Sequence, residues 1–448
     1  MKKGKIYCLL ILIVGVGYLS GQKVDQVPAI GSSLCKPSSG RPIMWRPLED
    51  AKVGITPYGY INCETYYDTR EIIGSREEHI VILPAPRRPD AFGRDINAHA
   101  SFHITMIESR VGLRVTGPEW GCIKTSGIIE GDFRGITDDT IGSFRIRHAY
   151  GKVEWPTGSF IFGQFWHPLF VVECFPHTVT FAVGAPIEPQ ARDPQFRVTQ
   201  RFCRDYEVIF AALSQRDFAS PGPRGFSTEY IRNSLTPNFH LQFRRYFGEG
   251  DNLIGVAGDF KRLVPRVVTD KNVKVHEHIN SFIFEAFAAF TRAPFSVRMK
   301  GIYAQNGADQ LVLGGYAVST IDPVTDFRTY TNINAAGGWI DMSYIFCCDS
   351  MELGLFVGGI KNLGTRHRLF LDPTTGTPIA FTLSNISERV DYTVQVFPRY
   401  VFRKDPIRFG LEVEFTRAAF GTPDRCGRVR NTDPVNNVRV LAALYYIF

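Results

Sequence analysis

Apart from Ile6–Leu19, at the extreme N-terminus, the sequence has no long apolar run. A helical membrane protein needs repeated apolar spans of about 20 residues, so that class is excluded. Lysine is scarce, with 14 residues against 37 arginines, so the positive charge is mostly guanidinium. Catalytic signatures are missing too: no Gly-x-Ser-x-Gly elbow, no phosphate-binding glycine loop and no dinucleotide fingerprint. The 10 histidines are scattered. His276-Glu277-His278 is too tight for a helical zinc motif. Nine cysteines occur at spacings that match no zinc pattern. These absences argue against an enzyme, and no metal or cofactor is expected.

The sequence is rich in residues that build strands. Aromatics make up 13%, with 35 Phe and 18 Tyr, beside 41 glycines. At 44% hydrophobic the chain is too apolar to be disordered. Together these favour an all-β protein. A length of 448 residues usually means two or three domains, but barrels routinely exceed that rule.

Lys2, Lys3 and Lys5 precede the apolar stretch Ile6–Val16, and Gly17–Gly21 is small and turn-prone. This predicts a secretory signal peptide over residues 1–21. The formal charge of +7 then falls to about +4, too diffuse for a nucleic-acid partner. Residues 22–56, with Pro28, Pro37, Pro42 and Pro47, read as an irregular periplasmic arm. Cys347-Cys348 is a vicinal pair; an oxidising compartment allows a disulfide, and free thiols are the other reading.

From residue 57 to 448 the chain divides into sixteen alternating segments. Short turns (117–121, 156–157, 204, 248–250, 292–293, 347–349, 403–404) alternate with long polar connections. The latter are 70–100, 135–142, 167–193, 214–235, 262–280, 306–328, 363–386 and 418–435. Strict alternation of tight turn and long loop predicts an all-β fold, a transmembrane antiparallel up-and-down β-barrel of the Gram-negative outer membrane. A secreted β-sandwich has no reason to keep it. The last segment supports the barrel: Val438, Val440, Ala442, Leu444, Tyr446 and Phe448 form one apolar face ending at the C-terminus. Tyr446 and Phe448 are the expected assembly signal for the barrel insertion machinery.

Parity sorts each strand into a face toward outer-membrane lipid and a face toward the lumen. It turns Arg110, Arg114, Arg145, Arg147, Arg197, Arg201 and Arg244 inward, all on strands 2, 4, 6 and 8. Inward acids cluster later, with Glu412 and Glu414 expected opposite the arginines. His103 and Thr105 face inward only with a bulge near residues 107–109. Beyond Arg147 the same parity sends His148, Lys152 and Glu154 outward, which a subunit interface or the periplasmic rim would tolerate. Arginine rows favour anions. The other reading is that they solvate the lumen or pair with acids. The segment 167–193, carrying His167, His177, Glu188 and Arg192, is too apolar for an exposed loop and is expected to fold inward as a constriction. Packing on a neighbouring subunit is its alternative.

Several ordered motifs carry a family likeness. Tyr58-Gly59-Tyr60-Ile61-Asn62, Ser109-Arg110-Val111-Gly112-Leu113, Ile129-Glu130-Gly131-Asp132-Phe133, Arg145-Ile146-Arg147-His148-Ala149-Tyr150, Phe162-Gly163-Gln164-Phe165-Trp166 and Pro194-Gln195-Phe196-Arg197 resemble the DcaP-like trimeric porins. The resemblance covers the first half of the chain. It implies a sixteen-stranded homotrimer that takes up small anionic solutes such as dicarboxylates. The chain departs from the family in lacking a long helical arm before strand one.

Overall fold

The computed structural model describes residues 53–248, 252–346 and 350–448. The expected signal peptide, the arm before residue 53 and Cys347-Cys348 lie outside the described residues. Sixteen strands close into one antiparallel barrel. They are β1 Gly54–Asp68, β2 Ser101–Thr105 with Arg110–Thr116, β3 Lys124–Asp132, β4 Arg145–Trp155, β5 Gly158–Trp166, β6 Arg192–Phe202, β7 Tyr206–Leu213 and β8 Asn238–Phe247. The second half is β9 Asn252–Leu263, β10 Ile279–Arg292, β11 Phe295–Gln305, β12 Arg328–Phe346, β13 Met351–Thr365, β14 Val390–Lys404, β15 Ile407–Pro423 and β16 Val429–Ile447. β16 returns to β1, with Tyr60 opposite Ile447 and Asp68 opposite Arg439. Closure matters in lipid, because an open edge would leave backbone groups without partners. β1 begins at Gly54, so an arm reaching residue 56 is too long by three residues.

The two faces follow parity. Phe144, Ile146, Phe196, Leu241, Phe243, Leu411 and Phe415 are exposed on the outside, while Arg145, Arg147, Arg197, Arg244, Glu412 and Glu414 are buried inside. One unit of charge on the lipid face would cost about 2–4 kcal/mol at mid-depth. Two of the bulges shift the register of strands that carry the arginines. Glu64 faces Thr105 but Tyr60 faces Arg110, so β2 carries one extra residue, and His103 and Thr105 point inward. The second bulge overturns an expectation. Glu130 faces His148 while Gly131 faces Ile146, so Arg147 is the inserted residue. His148, Lys152 and Glu154 therefore face the lumen, and Lys152 Nζ lies 2.6 Å from Glu154. The expected long loop 418–435 is also corrected. β15 and β16 run on as a hairpin, with Ala418 opposite Val435 and Thr422 opposite Arg430. Beyond the lipid no apolar face is needed, so the polar sequence concealed the strands.

The lumen is partly filled. The connection expected over 167–193 is two residues shorter, because β6 begins at Arg192, which is a wall residue and not part of the loop. The segment 167–191 enters the barrel, and its Leu169, Val171, Phe181 and Ile187 join a core with Phe287, Trp339, Phe356 and Phe397 from β10, β12, β13 and β14. Gly184, at φ +85°, turns this segment against the Phe356 ring, where a Cβ would approach to 2.6 Å. Two more connections fold inward that hydropathy had placed outside. Residues 72–84 form a hairpin whose second strand, Ile80–Pro84, is buried. In the connection 306–327, Leu313 N–H donates to the Pro186 carbonyl at 3.1 Å, joining that loop to the inward segment. Apolar side chains within a polar loop are the shared cause.

Candidate functional site

The arginine wall is built by β2, β4 and β6, with β3 and β5 between them. Each strand alternates, so every second side chain reaches the lumen, and Arg-x-Arg spacing stacks guanidinium groups on one face. Near the extracellular end these groups meet carboxylates. Arg145 binds Asp132 at 2.6 Å and Asp217 at 2.6 Å. Arg147 binds Glu130 at 2.9 Å and Asp132 at 3.2 Å. Arg192 reaches Asp217 at 2.6 Å and stacks on Trp166, 4.2 Å from its centroid. Arg76, from the inward hairpin, approaches the same Asp217 at 3.6 Å. Burial opposes ionisation of Asp217, but Arg192, Arg145 and Arg76 outweigh it and hold the carboxyl below its ordinary range.

Arg110 contacts Glu108 and Glu130 at 3.6 Å each. Arg244 pairs with Glu173 and Glu207. Arg201 stays well exposed and touches Glu207 at 3.1 Å. Arg114 is exposed over the Tyr58 ring. Arg197 donates to Gln195 Oε1 at 2.9 Å and to the Trp166 carbonyl. Among the described residues, neither Arg114 nor Arg197 has a carboxylate within 4.0 Å.

The acids expected opposite the arginines are engaged elsewhere. Glu412 accepts from the backbone N–H groups of Val179 and Thr180, both at 2.9 Å, and so holds the tip of the inward segment. Gly410 admits this tip, since a Cβ there would meet Val179 at 2.8 Å. Glu414 is buried and its Oε1 has no hydrogen-bond partner.

Glu188, His177 and His167, expected at a constriction, anchor the segment 167–191 at several points. Glu188 accepts from Lys300 at 2.8 Å and from Trp339 Nε1 at 2.7 Å. Burial pushes its carboxyl up to about 7, with Lys300 and Trp339 pulling the other way. His177 donates its backbone N–H to Asp341 at 3.2 Å, and burial holds its imidazole down to about 3, helped by Arg298. His167 lies against Asp259 at 3.5 Å. At the seam, Phe448 and Gly59 exchange two backbone hydrogen bonds of 3.0 Å, and both Tyr446 and Phe448 lie on the outer face.

Parity located the arginines but missed Arg76 and Asp217, which sit in connections taken for external loops. A signal was present for Arg76, whose loop holds the apolar run Ile80–Leu83, but no such run marks the loop 214–235 that carries Asp217. The five described cysteines, Cys63, Cys122, Cys174, Cys203 and Cys426, are free.

Solved structures share this architecture. The outer-membrane channel DcaP of Acinetobacter baumannii aligns over 88% of this chain and 97% of its own, with a TM-score of 0.60 and 16% identity. The chain has the fold of an outer-membrane porin. A trimer form of OmpT, an outer-membrane protein of Vibrio cholerae, covers 88% of this chain and 99% of its own at TM-score 0.52 and 12% identity. An anion-selective porin from Comamonas acidovorans covers 89% and 100% at TM-score 0.50 and 9% identity. No family model and no curated protein matches the sequence. In the porin fold found here, the inward segment meets the arginine wall at Phe181, whose ring centroid lies 5.7 Å from Arg147 and 6.0 Å from Arg192. A vestibule of about 310 Å³, lined by His177, Val179, Arg403 and Arg408, opens on the side of the short turns.

Proposed function

We propose that the chain is a passive channel of the Gram-negative outer membrane that passes small anionic solutes of the dicarboxylate kind. The observation that carries this reading is the local excess of guanidinium on one wall. Arg114 and Arg197 face the lumen without carboxylate partners, beside Arg110, Arg145, Arg147 and Arg192 that share theirs. A carboxylate solute would exchange part of its hydration for forked contacts with these groups. The contacts must stay weak enough to release it. Water screens each charge within about 8–10 Å at physiological salt, so preference is a property of the wall and not of one residue. No reacting group or cofactor is needed for this work. A homotrimer embedded in outer-membrane lipid fits the trimer form recorded for OmpT.

A second reading is a plugged barrel that binds a ligand or surface without conducting. The apolar core inside the lumen favours it. An outer-membrane hydrolase is disfavoured by the absence of any catalytic motif in the sequence. Single-channel recording in a planar bilayer separates the first two readings. Discrete conductance steps, with a reversal potential of anion sign in a salt gradient, support the channel. A folded protein that gives no steps would make it a plugged barrel.

A further inference from the structure

His240 on β8 and Asp259 on β9 are direct cross-strand partners, and both face the lumen. His167, the first residue after β5, lies over them as the inward segment begins. His167 Nε2 and His240 Nδ1 each lie 3.5 Å from Asp259 Oδ2. The three atoms fall within 4.8 Å of one another. The residues are at least nine-tenths buried, at 0%, 1% and 6% exposure. Among the described residues, none of these three atoms has a hydrogen-bond partner, and neither does His240 Nε2.

A separation of 3.5 Å is too long for an N–H···O bond, which prefers about 2.9 Å. It is the separation of two ligands on one ion. Donors about 2.0–2.2 Å from a tetrahedral centre stand roughly 3.3–3.5 Å apart. Leaving a buried polar atom unmatched is costly, and here several lie together. We propose that His167, His240 and Asp259 form a site for a borderline divalent cation of the zinc class. Two imidazoles and one carboxylate suit such an ion, whereas magnesium and calcium prefer oxygen ligands alone.

Leu169 N–H donates to His167 Nδ1 at 3.3 Å, a long bond that leaves the ring proton on Nε2 in the ion-free protein. Metal binding at Nε2 moves that proton to Nδ1 and breaks the Leu169 bond, so the Leu169 N–H must turn away when the ion binds. Of the cations acting on His167, Lys261 is bound by Asp309, and Arg197 donates to Gln195 and the Trp166 carbonyl. The charge of Asp259 is thus left for the ion. A second cluster, Glu64, His79 and Glu108, is different: His79 already bonds Glu64 at 2.6 Å, and Arg134 lies 3.8 Å from Glu108. The proposed ion would pin the root of the segment 167–191 to the β8–β9 wall. Its fourth position would be left to water or a small ligand. This holds whether or not the lumen conducts.

The test is zinc binding by the full-length protein in detergent, folded as judged by heat-modifiable migration. Equilibrium dialysis against Zn2+ with metal analysis should give one zinc per chain. Asp259→Asn and His240→Gln should each weaken binding at least tenfold while the barrel still migrates as folded. Asp259→Asn keeps the shape of the side chain, so it carries the test if the histidine variant does not fold. Wild-type protein that takes up no zinc, or Asp259→Asn that binds like wild type, overturns the site.

Discussion

Arg145 Nη1 lies 2.6 Å from Asp217 Oδ1, tying β4 to a loop 72 residues further along the chain. Arg192 holds the other oxygen of the same carboxylate at 2.6 Å. One loop acid thus joins two strands of the arginine wall and the inward hairpin through Arg76. Removing one partner of a buried ion pair typically costs about 3–5 kcal/mol, because the remaining charge stays uncompensated. Asp217→Asn should therefore loosen the 214–237 connection without opening the barrel. Amide hydrogen exchange there should rise strongly, with β4 and β6 unchanged. Exchange equal to wild type would show that the pair does not hold the loop.

Glu188 gives a pH dependence with a definite sign. Burial raises its carboxyl from 4.5 to about 7, so the folded protein favours the protonated form. The stabilisation is fully present below pH 4.5 and is lost as pH rises through about 7. The shift corresponds to something on the order of 3 kcal/mol. The temperature at which the compact band disappears should fall between these pH values, and Glu188→Gln should flatten that fall. A variant with the wild-type slope would assign the dependence to another group.

Phe448 completes the outer face of β16 and bonds to Gly59 across the barrel seam. Deleting it should lower the amount of protein in the outer membrane and raise periplasmic degradation. Equal amounts, measured by fractionation and quantitative blotting, would remove the terminal residue as an assembly signal while leaving the barrel intact.

The strands were legible because lipid on one side and lumen on the other enforce a period of two. Phe196, Arg197 and Val198 report their faces directly. Register faults were legible only in part. His103 and Thr105 exposed the first bulge by breaking the pattern, whereas Arg147 fits either face and hid the second. Contents of the lumen were the hardest to read. Phe287 and Phe356 point inward, yet parity treats an inward aromatic as an exception until the loops that cover it are known. Asp217 was invisible because its loop holds no apolar run, and a polar loop that folds inward reads like one that does not, whereas Arg76 lies near the apolar run Ile80–Leu83. The acids Glu412 and Glu414 illustrate a further limit. Parity gives the face of a carboxylate but not its partner, and Glu412 turned out to hold backbone N–H groups.

On the channel reading proposed above, the excess of guanidinium on one wall, with Arg114 and Arg197 lacking a carboxylate within 4.0 Å, sets an anion preference. Arg145 and Arg147 hold the buried Asp132, so replacing them would disturb the fold as well as the field. Arg114 and Arg197 leave no carboxylate bare. The most direct measurement is the reversal potential of the double variant Arg114→Gln, Arg197→Gln in a salt gradient, beside wild type, in a planar bilayer. On that reading, the double variant should shift toward cation preference, most strongly at low salt, and should slow small dicarboxylates more than neutral sugars of similar size. A folded, conducting double variant with the wild-type reversal potential and wild-type dicarboxylate passage would contradict it.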